Sequence, residues 1–269
     1  PSIDFTDNGG NSDWQDEIYG TGFTKSNSFA ISGGSETSNY RGSVSNSNFE
    51  GVIKNSGKER TVGRLNLSQK AFDDKLTIDM GLSATKENNN YRNYGENGKD
   101  QVLYQAFQRL PTDPVYNPDG SLFETGGTLN YFNPLHSINK IENTRDAKFL
   151  AANLGLDFEL AKGLNAKVVT SFLQNDSEST YFEPTYNYVF TGTAESPIYN
   201  GYGKRSYSNW EQGLLEATLT YKKSFADSHN LTLLGGYSYR TTKSDGFNME
   251  ANNPTSNTLG SDNFENFET

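Results

Sequence analysis

The segment that decides the fold is residues 75–85, which read Lys75-Leu76-Thr77-Ile78-Asp79-Met80-Gly81-Leu82-Ser83-Ala84-Thr85. Its even-numbered positions are apolar, and its odd-numbered positions are polar or glycine. Successive side chains of a β-strand point to opposite faces of the sheet. The alternation therefore predicts a strand that has one apolar face and one polar face.

Seven further segments show a similar alternation, at about residues 23–32, 40–48, 61–70, 147–160, 164–174, 207–223 and 230–242. With residues 75–86 they form four predicted hairpins, whose short connections are rich in turn-forming residues: 33–39, 71–74, 161–163 and 224–229. The connections between the hairpins are longer, at 49–60, 87–146 and 175–206, and an acidic, Asn-rich tail follows residue 242. Loops beyond about 12–15 residues are unusual in compact domains and usually carry function.

Short turns at one end of the strands and long loops at the other are typical of an outer-membrane β-barrel wall. The sequence therefore predicts an all-β antiparallel meander, with Phe72 and Phe225 in an aromatic girdle. We expect one set of residues to contact lipid: Leu76, Ile78, Leu82, Leu154, Leu156 and Leu219. Mid-strand charges should instead face a hydrated lumen, because a charge in a dry core is costly: Asp79, Asp157 and Glu216.

Composition limits the class of protein. The 269 residues suffice for one large β domain or two ordinary ones. Hydrophobic residues make up 33% and the mean hydropathy is −0.76, and no run approaches the ~20 apolar residues of a membrane-spanning helix. The net charge of −10 argues against a nucleic-acid partner, and the absence of Cys excludes disulfides and thiolate metal sites. Because Pro1 is not preceded by Met or a signal peptide, we expect a removed leader or an internal piece of a longer chain.

Several short motifs, taken together, resemble one family. Residues 13–18 (DWQDEI) look like the segment that opens the barrel of SusC-like TonB-dependent transporters, and residues 31–41 (ISGGSETSNYR) look like its first periplasmic turn. Residues 49–53 (FEGVI) and 64–67 (RLNL) continue the likeness. Residues 111–121 (PTDPVYNPDGS) and 133–135 (NPL) resemble the family's long second outer loop. The similarity covers nearly the whole chain in order.

This resemblance implies a barrel of about 22 strands with a plug in its lumen. The chain would supply about eight of those strands, with residues 1–22 as a lead-in segment after the plug and residues 23–269 as part of the barrel. Residues 87–146 and 175–206 would be extracellular loops. The resemblance further implies the outer membrane of a Gram-negative, Bacteroidetes-type bacterium, uptake of glycans or peptides, a SusD-like lipoprotein lid, and energy from TonB through the missing plug region.

The sequence offers no catalytic, metal or cofactor site that we would assign. His136 and His229 lack converging partners for a metal or a triad. A calcium site at Asp113, Asn117 and Asp119 departs from EF-hand spacing, so a turn is favoured there. The long loops carry the candidate ligand-binding or partner-binding residues, because rings beside amides and charges suit sugars, peptides or a protein lid: Tyr91, Arg92, Tyr94, Tyr104, Tyr116, Tyr131, Phe132, Tyr199 and Tyr202. The same residues equally suit packing between loops.

Two other classes of protein remain open from the sequence. Eight strands could close into a self-contained small outer-membrane barrel or adhesin. A soluble β-sandwich that binds or hydrolyses glycans would also fit the strand count and the aromatic content. The leading prediction is a non-enzymatic segment of an outer-membrane transporter.

Overall fold

The structure is a computed structural model, and it describes residues 7–92, 101–124, 131–184, 201–225, 229–262 and 267–268. Strands and short helices follow one another in this order: α1 (Trp14–Ile18), β1 (Phe23–Gly34), β2 (Ser38–Glu50), β3 (Gly57–Ala71), β4 (Leu76–Asn90), α2 (Val102–Gln108), α3 (Pro134–Lys140), β5 (Glu142–Ala161), β6 (Leu164–Glu183), β7 (Tyr202–Phe225), β8 (His229–Pro254), a 3₁₀ segment (Asn257–Asp262) and β9 (Phe267–Glu268). Within the described ranges, no helix is both long and apolar enough to cross a membrane.

The strands form one antiparallel sheet in which each strand pairs with the next in sequence, from β1 to β9. The predicted all-β meander is therefore confirmed. The sheet is open, since β1 and β8 are not paired with each other in the described residues. A closed eight-stranded barrel would need that pairing, and a sandwich would need a second sheet, so neither alternative matches this architecture.

Most strands extend further toward the long-loop end than the alternation predicted. β5 begins at Glu142, β6 ends at Glu183, β7 begins at Tyr202 and β8 continues to Pro254. The predicted loops 87–146 and 175–206 are therefore shorter, at 91–141 and 184–201, and much of the predicted tail is strand. The added portions are mostly polar, with few large apolar side chains such as Phe247 and Met249, so their hydrophobic signal is weak. Backbone pairing continues there because it does not depend on apolar side chains.

The register places apolar and polar side chains on opposite faces. Directly paired residues of an antiparallel sheet share a face. One row across the sheet is mostly apolar: Gly33, Tyr40, Leu67, Met80, Leu154, Thr170, Leu215 and Tyr239. The next row, on the other face, is mostly polar: Gly34, Asn39, Ser68, Asp79, Gly155, Val169, Glu216 and Ser238. We call these the apolar face and the polar face.

The predicted division of residues between the two faces is confirmed. All six residues expected to contact lipid share the apolar face, and Asp79, Asp157 and Glu216 share the polar face. Side chains of the apolar face are left open in this sheet, with Phe29 66% and Leu65 51% exposed. A soluble protein rarely leaves so wide an apolar surface uncovered.

The short turns need unusual backbone angles. Phe72, Asp73 and Asp74 all have positive φ, of 55°, 54° and 63°, and Asp tolerates this conformation better than most residues. Gly163 has a φ of 80°, and a Cβ there would collide with the Lys222 carbonyl oxygen. Phe72 is 72% exposed at its turn, as a ring in an interfacial girdle would be.

Candidate ligand- and partner-binding loops

The connections at the long-loop end fold into a compact structure, which we call the loop unit: residues 7–19, 51–56, 101–124 and 131–141. Its buried core draws side chains from all four segments: Trp14, Ile18, Ile53, Val102, Ala106, Leu135 and Ile138. The three helices have only five to seven residues each, so packing rather than helix propensity must hold them. Thus the described parts of the long connection, residues 101–124 and 131–141, pack around a small hydrophobic core.

Polar side chains define the ends of two of these helices. The Asp13 carboxylate accepts hydrogen bonds from the backbone N–H groups of Gln15 and Asp16 at the start of α1. The Asn133 side chain accepts from the Leu135 N–H at the start of α3, where Pro134 occupies the first turn. Both arrangements satisfy donors that a helix N-terminus otherwise leaves unpaired.

The N-terminal segment is part of this unit. The Gly10 and Ser12 N–H groups donate to the carbonyls of Thr112 and Pro111, each at 2.8 Å. A Cβ at Gly10 would collide with the Asp113 backbone, so only glycine allows this approach. Residues 7–19 therefore bind the long connection before the chain enters β1, a contact that the sequence did not reveal.

Arg109 lies at the centre of the polar part of the loop unit, with its side chain fully buried. Its Nη1 is 2.9 Å from Glu124 Oε2, and its Nε is 3.4 Å from Asp113 Oδ2. Its guanidinium carbon lies 5.0 Å from the Trp14 ring centroid and 4.7 Å from that of Tyr131. Two carboxylates and two aromatic rings thus compensate the charge that burial would otherwise make costly.

Tyr131 is held by the same cluster. Its hydroxyl donates to Asp113 Oδ2 at 2.7 Å and accepts from the Leu110 N–H at 2.8 Å. Burial raises the pKa of Tyr131 to about 12, and the Asp113 carboxylate acts in the same direction. The neighbouring Phe132 N–H donates to the Gln105 side-chain oxygen at 2.8 Å. The structure therefore shows both predicted residues in contacts within the loop unit.

The other predicted residues of this connection differ in exposure. Arg92 is 8% exposed and donates to the carbonyl oxygens of Tyr91 and Ile138, at 2.6 and 3.2 Å. Tyr91 is 40% exposed and Tyr116 is 50% exposed, whereas Tyr104 on α2 is half-buried. Tyr91 and Tyr116 are thus the better placed of these to meet a ligand or partner. Tyr94 and Tyr199 lie outside the described residues.

Tyr202 lies apart from the loop unit, on the polar face at the start of β7. Its ring is 5.9 Å from that of Tyr181, and its hydroxyl hydrogen-bonds with Glu250. Burial is the main cause that raises the pKa of Tyr202, and the hydrogen bond with Glu250 is the second. Lys204 Nζ lies 2.7 Å from Glu250 Oε1, and this contact chiefly lowers the pKa of Glu250 to about 2. Two rings and an ion pair thus form a second candidate ligand contact.

The favoured turn at residues 117–121 is confirmed. The Asp119 carboxylate accepts from the Ser121 N–H and hydroxyl, at 2.9 and 2.6 Å, and these bonds lower the pKa of Asp119. Asp113 is instead engaged with Arg109 and Tyr131. In the part of the chain that the structure describes, no group of three or more His, Asp or Glu side chains could hold a metal ion.

A polar cavity of about 760 Å³ lies between the ends of β2–β5 and α3. Its lining combines asparagines with charged side chains, among them Asn48, Asn88, Asn90, Asn139, Lys58 and Glu142. Amides both donate and accept hydrogen bonds, which suits sugar hydroxyls and peptide groups. The run Asn88-Asn89-Asn90 was the available signal for this site in the sequence, but its meaning depends on the approach of α3.

Comparison with known proteins decides the family. Over 239 residues, 88% of this chain is 30% identical to TonB-dependent receptor P3 of Formosa agariphila. The chain belongs to the TonB-dependent receptors. A second member from the same organism, TonB-dependent receptor P26, is 24% identical over 95% of the chain. No protein-family model matches the sequence. TonB-dependent receptors are outer-membrane proteins of Gram-negative bacteria.

Solved structures agree with the fold of this TonB-dependent receptor chain. The RagAB peptide importer in its 'closed-closed' state matches 96% of the chain, with a TM-score of 0.75 and 18% identity. A second structure, of the RagAB peptide transporter, matches 97%, with a TM-score of 0.74 and 19% identity. The expected TonB-dependent receptor family is thus confirmed by the two Formosa relatives, and the solved structures confirm the barrel-wall fold. These relatives are receptors and importers, in agreement with the non-enzymatic prediction.

The chain spans about a quarter of the proteins it resembles. It covers 23% and 25% of the two Formosa receptors and 28% of each RagAB chain. The chain therefore corresponds to one segment of each of these proteins.

Proposed function

We propose that this chain is the first part of the barrel wall of an outer-membrane transporter, with the loop unit on the extracellular side. The whole barrel would have about 22 strands around a plug, as in plugged outer-membrane transporters. The observation that carries the proposal is the two-faced open meander, whose short turns and long loops lie at opposite ends. In this arrangement the apolar face meets lipid and the polar face lines the lumen.

The transporter would import oligosaccharides or peptides, with a SusD-like lipoprotein as its lid and TonB as the source of energy. The relatives named as peptide importers support this class of cargo. The Asn-lined cavity and the polar-face group of Tyr181, Tyr202, Lys204 and Glu250 offer amides, rings and charges for such ligands. TonB would act through a region outside this chain.

The loop unit is suited to hold a partner or a ligand because its binding residues stand on a rigid core. Phe107 on α2 is 62% exposed, while Val102, Gln105 and Ala106 on the same helix are buried. Tyr116 projects from the turn that Asp119 stabilises. Rigid, exposed aromatic side chains lose little entropy on binding, and such residues dominate many protein interfaces.

The test is a group substitution in the full-length transporter. Tyr91, Phe107 and Tyr116 are replaced together by Ser, which leaves the buried core of the loop unit intact. A matched control replaces Tyr237, which is 62% exposed on the apolar face. We expect uptake of the cargo, or co-purification of the lipoprotein lid, to fall in the triple variant while barrel assembly stays normal. Unchanged uptake and unchanged lid association would contradict the proposed role of the loop unit.

A further inference from the structure

Two lysines face each other where the apolar face ends. Lys86 on β4 is the direct cross-strand partner of Lys148 on β5, and both side chains are exposed. Toward the short turns, the next residues on the apolar face are Ala84 and Leu150. Like charges directly opposite each other in a sheet are destabilising unless an anion or water screens them.

The carboxylates near this pair are already engaged. Neither lysine lies within ion-pair distance of an acidic side chain in the described residues. Asp176 is the cross-strand partner of Lys148, but its carboxylate accepts hydrogen bonds from Asn209, Tyr207 and Gln174. Asp146 lies two residues before Lys148 on the same face of β5, and its carboxylate accepts a hydrogen bond from the Asn88 side-chain amide at 2.8 Å. Both ammonium groups therefore keep bonding capacity for an anion.

An apolar groove begins at these lysines. A depression of about 450 Å³ has Lys86, Lys148 and the hydrogen-bonded Asp176 among its lining residues, together with the apolar Val44, Ala84 and Leu150. Gly63 leaves room in its floor, because a Cβ there would have no atom within 4 Å. The exposed lining is mostly carbon, so the groove offers little to a polar ligand except near Lys86, Lys148 and Asp176.

A second depression continues this groove down the apolar face. Its volume is about 360 Å³, and its lining includes Leu65, Leu82 and Ala152, each two residues nearer the short turns than Gly63, Ala84 and Leu150, respectively. From Lys86 to Met80 the groove follows six residues of β4, or roughly 20 Å at the rise of a strand. That length and shape fit an extended acyl chain.

We propose that this groove binds one phosphorylated glycolipid of the outer leaflet, of the lipid A type. Its phosphate would lie between Lys86 and Lys148, and one acyl chain would lie along the two depressions. The proposal rests on the proposed function, because that orientation places the two lysines at the extracellular edge of the lipid layer. Both parts of the ligand are needed, since the site combines positive charge with an apolar groove.

The test uses the full-length transporter, purified in a non-ionic detergent and stripped of lipid. Binding of phosphorylated lipid A is measured by native mass spectrometry for the parent protein and for the double variant Lys86→Gln/Lys148→Gln. We expect the double variant to bind about 30-fold more weakly, equivalent to roughly 2 kcal/mol for two lysines near a lipid surface. Lys86→Arg/Lys148→Arg keeps the charge and should retain binding.

Two comparisons make the result specific. Lys25→Gln is the matched control, because Lys25 is exposed on the same side of the sheet but lies on β1, away from the groove. This variant should bind lipid A as the parent does. Dephosphorylated lipid A should bind the parent as weakly as phosphorylated lipid A binds the double glutamine variant. Inorganic phosphate alone should not compete at matched concentration.

Equal lipid A binding by the parent and the double glutamine variant would overturn the proposal, as would full competition by inorganic phosphate. Uptake separates this proposal from the proposed function. A double variant that loses the lipid but still assembles and imports cargo supports the lipid site and leaves the transporter assignment intact. A parent protein that imports cargo but binds no lipid A would refute the lipid site alone.

Discussion

The Arg109 guanidinium lies 5.0 Å from the centroid of the Trp14 ring, although 94 residues separate them along the chain. Trp14 Nε1 also donates to the Leu110 carbonyl oxygen at 2.9 Å. Through these contacts the segment that precedes β1 is joined to the connection between β4 and β5. The order of the loop unit therefore depends on residues from both ends of this span.

Arg109→Ala should unfold the loop unit locally. Removing the guanidinium leaves Asp113 and Glu124 buried without their cation, which costs about 3–5 kcal/mol in comparable buried pairs. Hydrogen exchange in the full-length protein should speed up across residues 7–19 and 101–124, while the strands stay protected. Arg60→Ala is the control: the Arg60 side chain is 46% exposed beside Glu87, and such surface pairs contribute little. Equal exchange in both variants would show that Arg109 does not organise the unit.

Tyr131→Phe should destabilise the loop unit more than Tyr116→Phe. The Tyr131 hydroxyl satisfies both Asp113 and the Leu110 N–H, and an unsatisfied buried group costs about 1–3 kcal/mol. The Tyr116 side chain is exposed, so loss of its hydroxyl should change stability by less than about 0.5 kcal/mol. Limited proteolysis of residues 101–124 measures the difference. Similar cleavage rates for the two variants would argue against a structural role of the Tyr131 hydroxyl.

The loop unit should lose stability at alkaline pH through Tyr131. Its pKa is about 12 in the folded protein and 10.0 ordinarily, so the unfolded state releases this proton first. The contribution of Tyr131 is complete below pH 10 and is lost as the pH rises toward 12. Hydrogen-exchange protection, corrected for intrinsic rates, should fall over this window in the parent protein and fall less in Tyr131→Phe. The same fall in both proteins would assign the effect to another group.

Adjacent residues of β4 should differ in their tolerance of charge. Leu82 lies on the apolar face and Ser83 on the polar face. Leu82→Arg should destabilise the barrel by about 2–4 kcal/mol if that face meets lipid near the bilayer midplane, and Ser83→Arg much less. Unfolding of the full-length barrel in lipid vesicles with guanidinium chloride measures both. Equal costs would contradict the assignment of the faces.

The sequence predicted the sheet well because its signal is local. Alternation in residues 75–85 identified both faces of β4, and the register then placed Asp79 and Glu216 on one side as expected. Strand ends were predicted poorly where polar residues predominate, as in the last part of β8, whose large apolar side chains are Phe247 and Met249. There a strand and a polar loop have the same composition, and only the paired backbone distinguishes them.

The loop unit could not be predicted in the same way because its contacts are distant in sequence. Tyr131 was predicted to bind a ligand or a partner, or to pack against other loops, and its aromatic ring fits each of these roles. Its contact with Asp113 and Arg109 depends on how α2 and the turns around it fold. Trp14 and Arg109 carried no motif that linked them. Which exposed residues touch a ligand stays a prediction.

Sidedness is the central claim, and cysteine labelling of the full-length protein in intact cells tests it most directly. Phe107→Cys places a thiol on the exposed side of α2, and Glu36→Cys places one in the exposed turn between β1 and β2. The chain has no other cysteine, so each signal within it is unambiguous. A membrane-impermeant maleimide should label Phe107→Cys in intact cells and should label Glu36→Cys only after the outer membrane is opened. Labelling of Glu36→Cys but not Phe107→Cys in intact cells would contradict the proposed orientation.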